Sequence, residues 1–458
     1  MRPYSLSFLP VLSFSLLLAL LSPHAFAQHE GHVMPDGTIM SDEDMPGVDM
    51  SGMAHGSLLS EPMGSGTTWL PSGSPVHDHA LHFMVGEWMF MTHGEVIARY
   101  TAQNLNHPDR NPPVPSATGG TSLYPELERG GTRYDAPNWV MLSAERTVFD
   151  DDRLMLRTMM SLDPLTIGDE GYPLLYQTGE GLVDRQHAHD LFMELAILYS
   201  HPLTANNRVF AYFGLPGEPS IGPSAFMHRP SAGGNPDAPL GHHFQDATHI
   251  TYGVATLGWI YRRTKAEVST FRGREPDAQR WNIDVGAFDS YSMRLTQSLG
   301  NFTVQGSMAY IHEPEPDEHG DVLRTTFAVH HNKAIANGNW ASSFVMGLNA
   351  GHHGRMLHSF LREMSLEKGS MAFWLRVETL QRMGAELDLP AGHEESQFWV
   401  NAVTLGTGVT LFKVSGMELF LGGQGALNFG SPALEPYYGK LPLSGQVFIK
   451  LRPARPAL

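Results

Sequence analysis

Between Gln28 and Gly64 the sequence sets metal-ligand side chains a few residues apart: His29, His32, Met34, Met40, Met45, Met50, Met53, His55 and Met63, with His77, His79 and His82 following. Thioether sulfur suits Cu(I) or Ag(I), and imidazole suits Cu(II) or Zn(II). A chain presenting many such groups can gather three or four around one ion without a preformed pocket. The neighbouring residues are rich in Gly, Asp and Ser and lack β-branched or aromatic runs. They bury too little apolar surface to offset the entropy of ordering. Residues 28–82 therefore read as a disordered arm whose ligands fit a copper ion, with no other cofactor implied. The competing reading is an inert low-complexity tether.

A second set of polar residues depends on which way strands face. If residues 187–200 form one strand, His187 and His189 share a face with Leu191, Met193, Leu195 and Ile197, while Asp190 and Glu194 share the other. The two histidines then belong at an external rim, with Asp184 and Arg185 pairing locally, unless a bulge resets the register. By the same alternation Arg157, Arg294, Arg376, Glu194 and Glu378 face an interior, where opposed charges set ion preference or hold a wall together. His242, His243, His249, His312, His319, His352 and His353 fall in loops expected at one mouth.

These positions need elements to hold them, and the elements announce themselves as strands. From residue 83 onward, segments of roughly 9–14 residues alternate apolar and polar, as a tilted membrane-crossing strand does. Over 281–297, Tyr291, Met293 and Leu295 oppose Ser290, Ser292 and Arg294. Expected strands include 83–103, 137–148, 153–162, 187–200, 246–261 and 281–297, and the full series is sixteen. Short connections such as Asp150-Asp151-Asp152 and Glu367-Lys368-Gly369 alternate with long Pro/Gly-rich ones such as 104–136 and 216–245. That is the pattern of a bacterial outer-membrane barrel with short periplasmic turns, which puts the arm in the periplasm. The expected fold is all-β: an antiparallel transmembrane β-barrel of about sixteen strands over 83–458, preceded by the arm.

Composition narrows the partners. Arg2, the apolar run Val11 to Leu21 and Ala25-Phe26-Ala27 read as a signal peptide over residues 1–27. There is no cysteine, so neither disulfides nor thiolate metal sites are available. A net charge of −17 argues against nucleic acid. Outer-membrane lipid and periplasmic metal-handling proteins are the partners expected.

The stretch Leu182-Val183-Asp184-Arg185-Gln186-His187-Ala188-His189-Asp190-Leu191-Phe192-Met193-Glu194-Leu195 resembles a family of bacterial outer-membrane barrel proteins of unsettled activity. Phe271-Arg272-Gly273-Arg274-Glu275-Pro276-Asp277, Arg324-Thr325-Thr326 and Gly338-Asn339-Trp340-Ala341 are similar to the same family. The resemblance spans roughly 150–380 and implies the barrel. Ala188 stands where the family commonly has proline. The arm, by composition, resembles those of copper-resistance outer-membrane proteins. Those barrels usually finish on an aromatic residue, whereas this chain runs past Phe448 to Arg-Pro-Ala-Arg-Pro-Ala-Leu.

No Gly-x-Ser-x-Gly, His-Glu-x-x-His or Walker motif appears, so catalysis is not expected. The leading expectation is a barrel for metal handling, the arm binding ions and the barrel serving as passage or anchor. The alternatives are a porin-like solute channel with an inert arm and an outer-membrane enzyme acting on lipid, which would need a rim Ser paired with His.

Overall fold

Strict alternation along long strands leaves each strand with one apolar and one polar face, and closing the sheet satisfies every edge. The computed structural model describes residues 59–74, 79–107, 129–149, 151–179, 182–247, 251–314, 320–351, 354–390 and 392–455, together with the backbone of a small pair, β1 (His32–Val33) and β2 (Ile39–Met40). The expected arm ligands His29, Met34, Met45, Met50, Met53, His55 and His77 lie outside the described residues.

The wall begins with β3 (Ala80–Val85), β4 (Trp88–Gln103), β5 (Gly131–Asp135), β6 (Asn138–Val148) and β7 (Asp152–Met160). A short helix, α1 (Asp163–Thr166), and a separate hairpin, β8 (Tyr172–Gly179) and β9 (Leu182–Gln186), follow. The wall resumes with β10 (Phe192–Thr204) and β11 (Asn207–Gly217). Helix α2 (His242–Gln245) then precedes β12 (Thr251–Tyr261), β13 (Thr264–Phe271), β14 (Ser290–Leu299), β15 (Phe302–Ile311), β16 (Val322–Ile335) and β17 (Gly338–Ala350). It ends with β18 (Met356–Lys368), β19 (Met371–Met383), β20 (Gln397–Val414), β21 (Met417–Gly430) and β22 (Leu443–Pro453).

Neighbours pair antiparallel all the way round, and β22 returns to β4 through Gly445↔Ala102 to Leu451↔Val96. β3 pairs with the lower half of β4, in line with β22, and β5 and β6 share the other side of β4. Two ring positions are thus each built from two segments, and the closed barrel has sixteen strands. Short turns mark one end. At Ser415-Gly416 both φ angles are positive, the geometry that a two-residue hairpin turn between right-twisted strands demands.

The outer face is apolar. On β14, Tyr291, Met293 and Leu295 are 58%, 59% and 57% exposed, while Ser292 and Arg294 between them are buried inward. Trp259, Tyr261, Phe302 and Trp340 ring the short-turn end, and Tyr291, Tyr310, Trp399 and Phe429 ring the other. Two aromatic girdles around an apolar band make this a membrane-spanning barrel of the bacterial outer-membrane kind.

Three expectations are corrected. Residues 281–289 are not strand; β14 starts at Ser290, because the Asp- and Gly-containing run folds back as a loop. Residues 187–191 are also outside any strand, and β10 starts at Phe192 with a register shift between Phe192 and Glu194. The third concerns the arm: its final part is packed and not disordered. Residues 59–74 lie within the barrel and β3 belongs to the wall.

Candidate functional site in the lumen

Besides the β8–β9 hairpin, whose Tyr172 lies against the inward Arg99 and whose Tyr176 packs with Leu380 and Val400, two segments fill the interior. The first is 59–74, whose Leu59, Trp69 and Leu70 are buried and whose Met63 bridges Trp69. Its turn carries Gly64 and Gly66. A Cβ on Gly64 would overlap Ser224 Oγ, and Gly66 adopts φ +53° against Glu218. Glycine is needed at both for the backbone to approach the second segment. Wall cations hold the exposed carbonyls of this turn: Arg157 donates to Gly64 O (3.3 Å) and Gly66 O, and Lys265 donates to Thr67 O.

The second is the long connection after β11, residues 218–247, which folds inward. Arg229 Nε donates to Glu363 on β18 (2.5 Å), and Ser231 bonds Ser343 on β17 (2.6 Å). Asp237 accepts from Arg99 on β4 (2.6 Å), Gln424 (2.8 Å) and Gln446 (3.1 Å), while its carbonyl accepts from Arg376 (2.6 Å). The loop therefore reaches from its own wall to the opposite one.

Several of the buried charged wall residues are held in ion pairs or hydrogen bonds. Glu267 accepts from Arg294 (2.8 Å) and Thr67 (2.5 Å) and lies 3.2 Å from Lys265. Glu194 sits 3.2 Å from Arg157 and accepts from Tyr212 (2.8 Å). Glu363 joins Arg229 to Arg376 (3.2 Å). Glu378 accepts from the Leu240 backbone N–H (2.5 Å). Arg294, Arg376, Glu194 and Glu378, expected inside, are inside; Arg294, Arg376 and Glu378 bond the inserted segments directly, and Glu194 pairs with Arg157, which holds the first of them.

The other sequence candidates are scattered. Asp184 on β9 accepts from the Tyr176 N–H (2.5 Å), and Arg185 reaches Gly130 O and donates to the Asp184 carbonyl (2.9 Å), so the local contact between the two runs through a backbone oxygen. His189 is buried with Nδ1 2.7 Å from Asp163 Oδ2, and His187 turns toward His243, with ring centres 5.8 Å apart. Neither shares a strand face with the other, because the strand starts later. Asp190 accepts from Tyr252 and lies 3.3 Å from Arg280. His79 is within the barrel, Nε2 3.5 Å from Glu367 and Nδ1 3.6 Å from Glu418. Met63 and His79, both read as arm ligands, are thus lumen residues. Among the described residues no three His, Asp or Glu side chains converge as a metal site.

Sequence reading missed the densest soft-ligand patch. His93, Trp139, Met141 and Met159 face inward from β4, β6 and β7, and His228 descends on them from the inward loop, its Nε2 3.3 Å from Met159 Sδ. Alternation puts each on an inner face, but only the pairing of strands and the fold of the loop bring them together.

No protein-family model matches the chain, and no curated protein matches it. Among solved structures, OmpF of Salmonella typhi in complex with daunomycin is similar at 9% identity and a TM-score of 0.48, covering 81% of this chain and 100% of its own. The anion-selective porin from Comamonas acidovorans is similar at 11% identity and 0.43, covering 80% and 100%. The outer membrane channel DcaP of Acinetobacter baumannii is similar at 9% and 0.42, covering 81% and 99%.

Two carboxyls of the inward loop make its packing depend on pH. Burial, with Glu194 nearby, pushes Glu218 up to about 8 from an ordinary 4.5, and burial pushes Asp246 up to about 7 from 3.8. The packed loop holds protons that the unpacked loop would release, so this contribution is present in acid and lost as pH rises through about 7–8. The temperature at which the barrel loses its compact, fast-migrating gel form is expected to fall between about pH 4 and 8 and to level off above that. Glu218→Gln is expected to flatten much of that fall.

Proposed function

We propose that the protein is a non-enzymatic outer-membrane barrel that handles soft metal ions, copper first among them. Residues 28–58 gather ions on the periplasmic side, and the barrel anchors that run and receives what it carries. The observation that carries this reading is the continuity of the chain. The ligand-rich run leads without interruption into residues 59–74, which occupy the lumen, and Met63 and His79 continue its ligand series inside.

Cu(I) titrated into the full-length protein in detergent, against a chromophoric competitor, is expected to bind in several equivalents more tightly than micromolar. Replacing the Met and His residues of 28–58 by serine in the full chain is expected to remove most of them. Weak binding by the parent protein, with no equivalent tighter than micromolar, rejects the metal role.

The girth of the ring favours a second reading, a solute channel, since barrels of sixteen strands enclose an aqueous passage when unfilled. Conductance in a planar bilayer separates the two. Steady ohmic current through the unmodified protein supports the channel, and silence supports the closed, ion-handling barrel.

A further inference from the structure

The inner face of β4, β6, β7 and β10 carries a group of soft donors. His93 lies directly opposite Met141, and Met141 directly opposite Met159. Such partners hold their Cβ atoms about 4.5–5.5 Å apart. The irregularity at the start of β10 buries Met193 in the same cluster, with Met141, Met159, Met91 and Trp139. Onto this row the short turn Phe226–His228 lowers one imidazole. His228 Nε2 stands 3.3 Å from Met159 Sδ, and its ring is 4.8 Å from the Trp139 ring and 5.6 Å from that of His93. Trp139 and His93 lie edge to face at 4.7 Å.

We propose that this patch is a binding site for a single soft monovalent cation, Cu(I) or Ag(I), held by Met159 Sδ, His228 and His93, with Met141 beside them and the Trp139 indole against the ion. The proposal deepens the metal-handling reading and rests on it for the choice of copper over other soft ions. The donors are neutral and soft, which favours these ions over hard divalent ones. Two carboxylates close to these residues in sequence are engaged: Glu95 lies 3.2 Å from Lys450, and Glu194 is 3.2 Å from Arg157. An indole face is a favourable neighbour for a cation. The present N···S separation is close to the ~3.5 Å that donors at ~2.0 and ~2.3 Å take about one tetrahedral ion. A cavity of about 90 Å³ lined by His79, His93, Trp139 and His228 borders the patch and provides the approach.

The test uses the full-length protein in detergent, with the Met and His residues of 28–58 replaced by serine, titrated with Ag(I) and with Cu(I) under reducing conditions. One equivalent is expected to remain. Met159→Leu, close to volume-conserving, and His228→Asn, which does not overpack the site, are expected to weaken it at least tenfold while leaving heat-modifiable gel mobility unchanged. Trp139→Phe is expected to abolish the fluorescence change that accompanies binding. Excess Zn(II) is expected not to displace the ion. Absence of the residual equivalent, binding unaffected by both substitutions, or displacement by stoichiometric Zn(II) overturns the site and identifies an ordinary packed patch with an N–H···S bond. The two readings fail separately. If only the arm's equivalents exist, the lumen site falls and metal gathering by the arm stands. If the lumen equivalent is present and the parent chain binds no more, the arm's role falls and the site stands.

Discussion

Replacing residues 222–240 by a short glycine linker, in a chain also lacking residues 59–74, is expected to raise single-channel conductance by on the order of tenfold or more over the parent protein. These two segments are what occupies the interior between Arg157, Lys265 and Glu267 on one side and Glu363, Arg376 and Gln424 on the other. Their removal strips partners from many wall charges. Water enters at the same moment, however, and solvates those charges, so the ring itself is expected to stay closed through its backbone pairing. Planar-bilayer recording checks the current, and retained heat-modifiable mobility checks the ring. A variant that keeps its barrel form but passes no more current than the parent would show that something besides these segments blocks the lumen.

A far smaller change is expected to do more damage. Glu363→Ala leaves the inserted loop in place but takes away the carboxylate between Arg229 (2.5 Å) and Arg376 (3.2 Å). Both guanidinium groups are almost completely buried. Removing one member of a buried ion pair typically costs about 3–5 kcal/mol, because the remaining charge has neither water nor partner. Here two like charges remain facing each other, so the loss is expected at the upper end of that range, read as a lowered denaturant midpoint for the folded, fast-migrating form. The double variant Glu363→Ala with Arg229→Met is expected to recover a large part of it, since it removes one of the stranded charges. Equal stability of the single variant and the parent would mean that the loop does not pack as described.

The barrel was legible in the sequence because lipid on one side and polar groups on the other force a period of two on every strand. Arg294, Arg376, Glu194 and Glu378 were read inward from that period alone, and inward they are. Errors arose where the period gave no guidance. His187 and His189 share a face only on a strand that begins before Phe192, and the single irregularity at the start of β10 that buries Met193 cannot be seen in residue types. Residues 59–74 looked too poor in apolar groups to pack. They pack by burying Leu59, Trp69 and Leu70 and by lending backbone carbonyls to Arg157 and Lys265, the second a stabilisation invisible to hydrophobic patterning. The Met159–His228 contact joins a wall strand to a loop 69 positions away, and nothing local foretells it.

The seam between β22 and β4 also dictates an order of assembly. β3 continues the line of β22, so the first and last strands of the wall must meet end to end along one edge of β4. The segment just before β3 is at that point already enclosed, tied to Ser224 by Ser65 and to Glu267 by Thr67. The ring is thus stitched shut around its own beginning. Insertion has to deliver the N-terminal stretch and the third long connection to the inside while the sheet is still an open crescent, and the joining of β22 to β4 comes last. A chain stalled before that final stitch would present an unpaired β4 edge and a half-covered interior to the periplasm, the form most exposed to proteolysis.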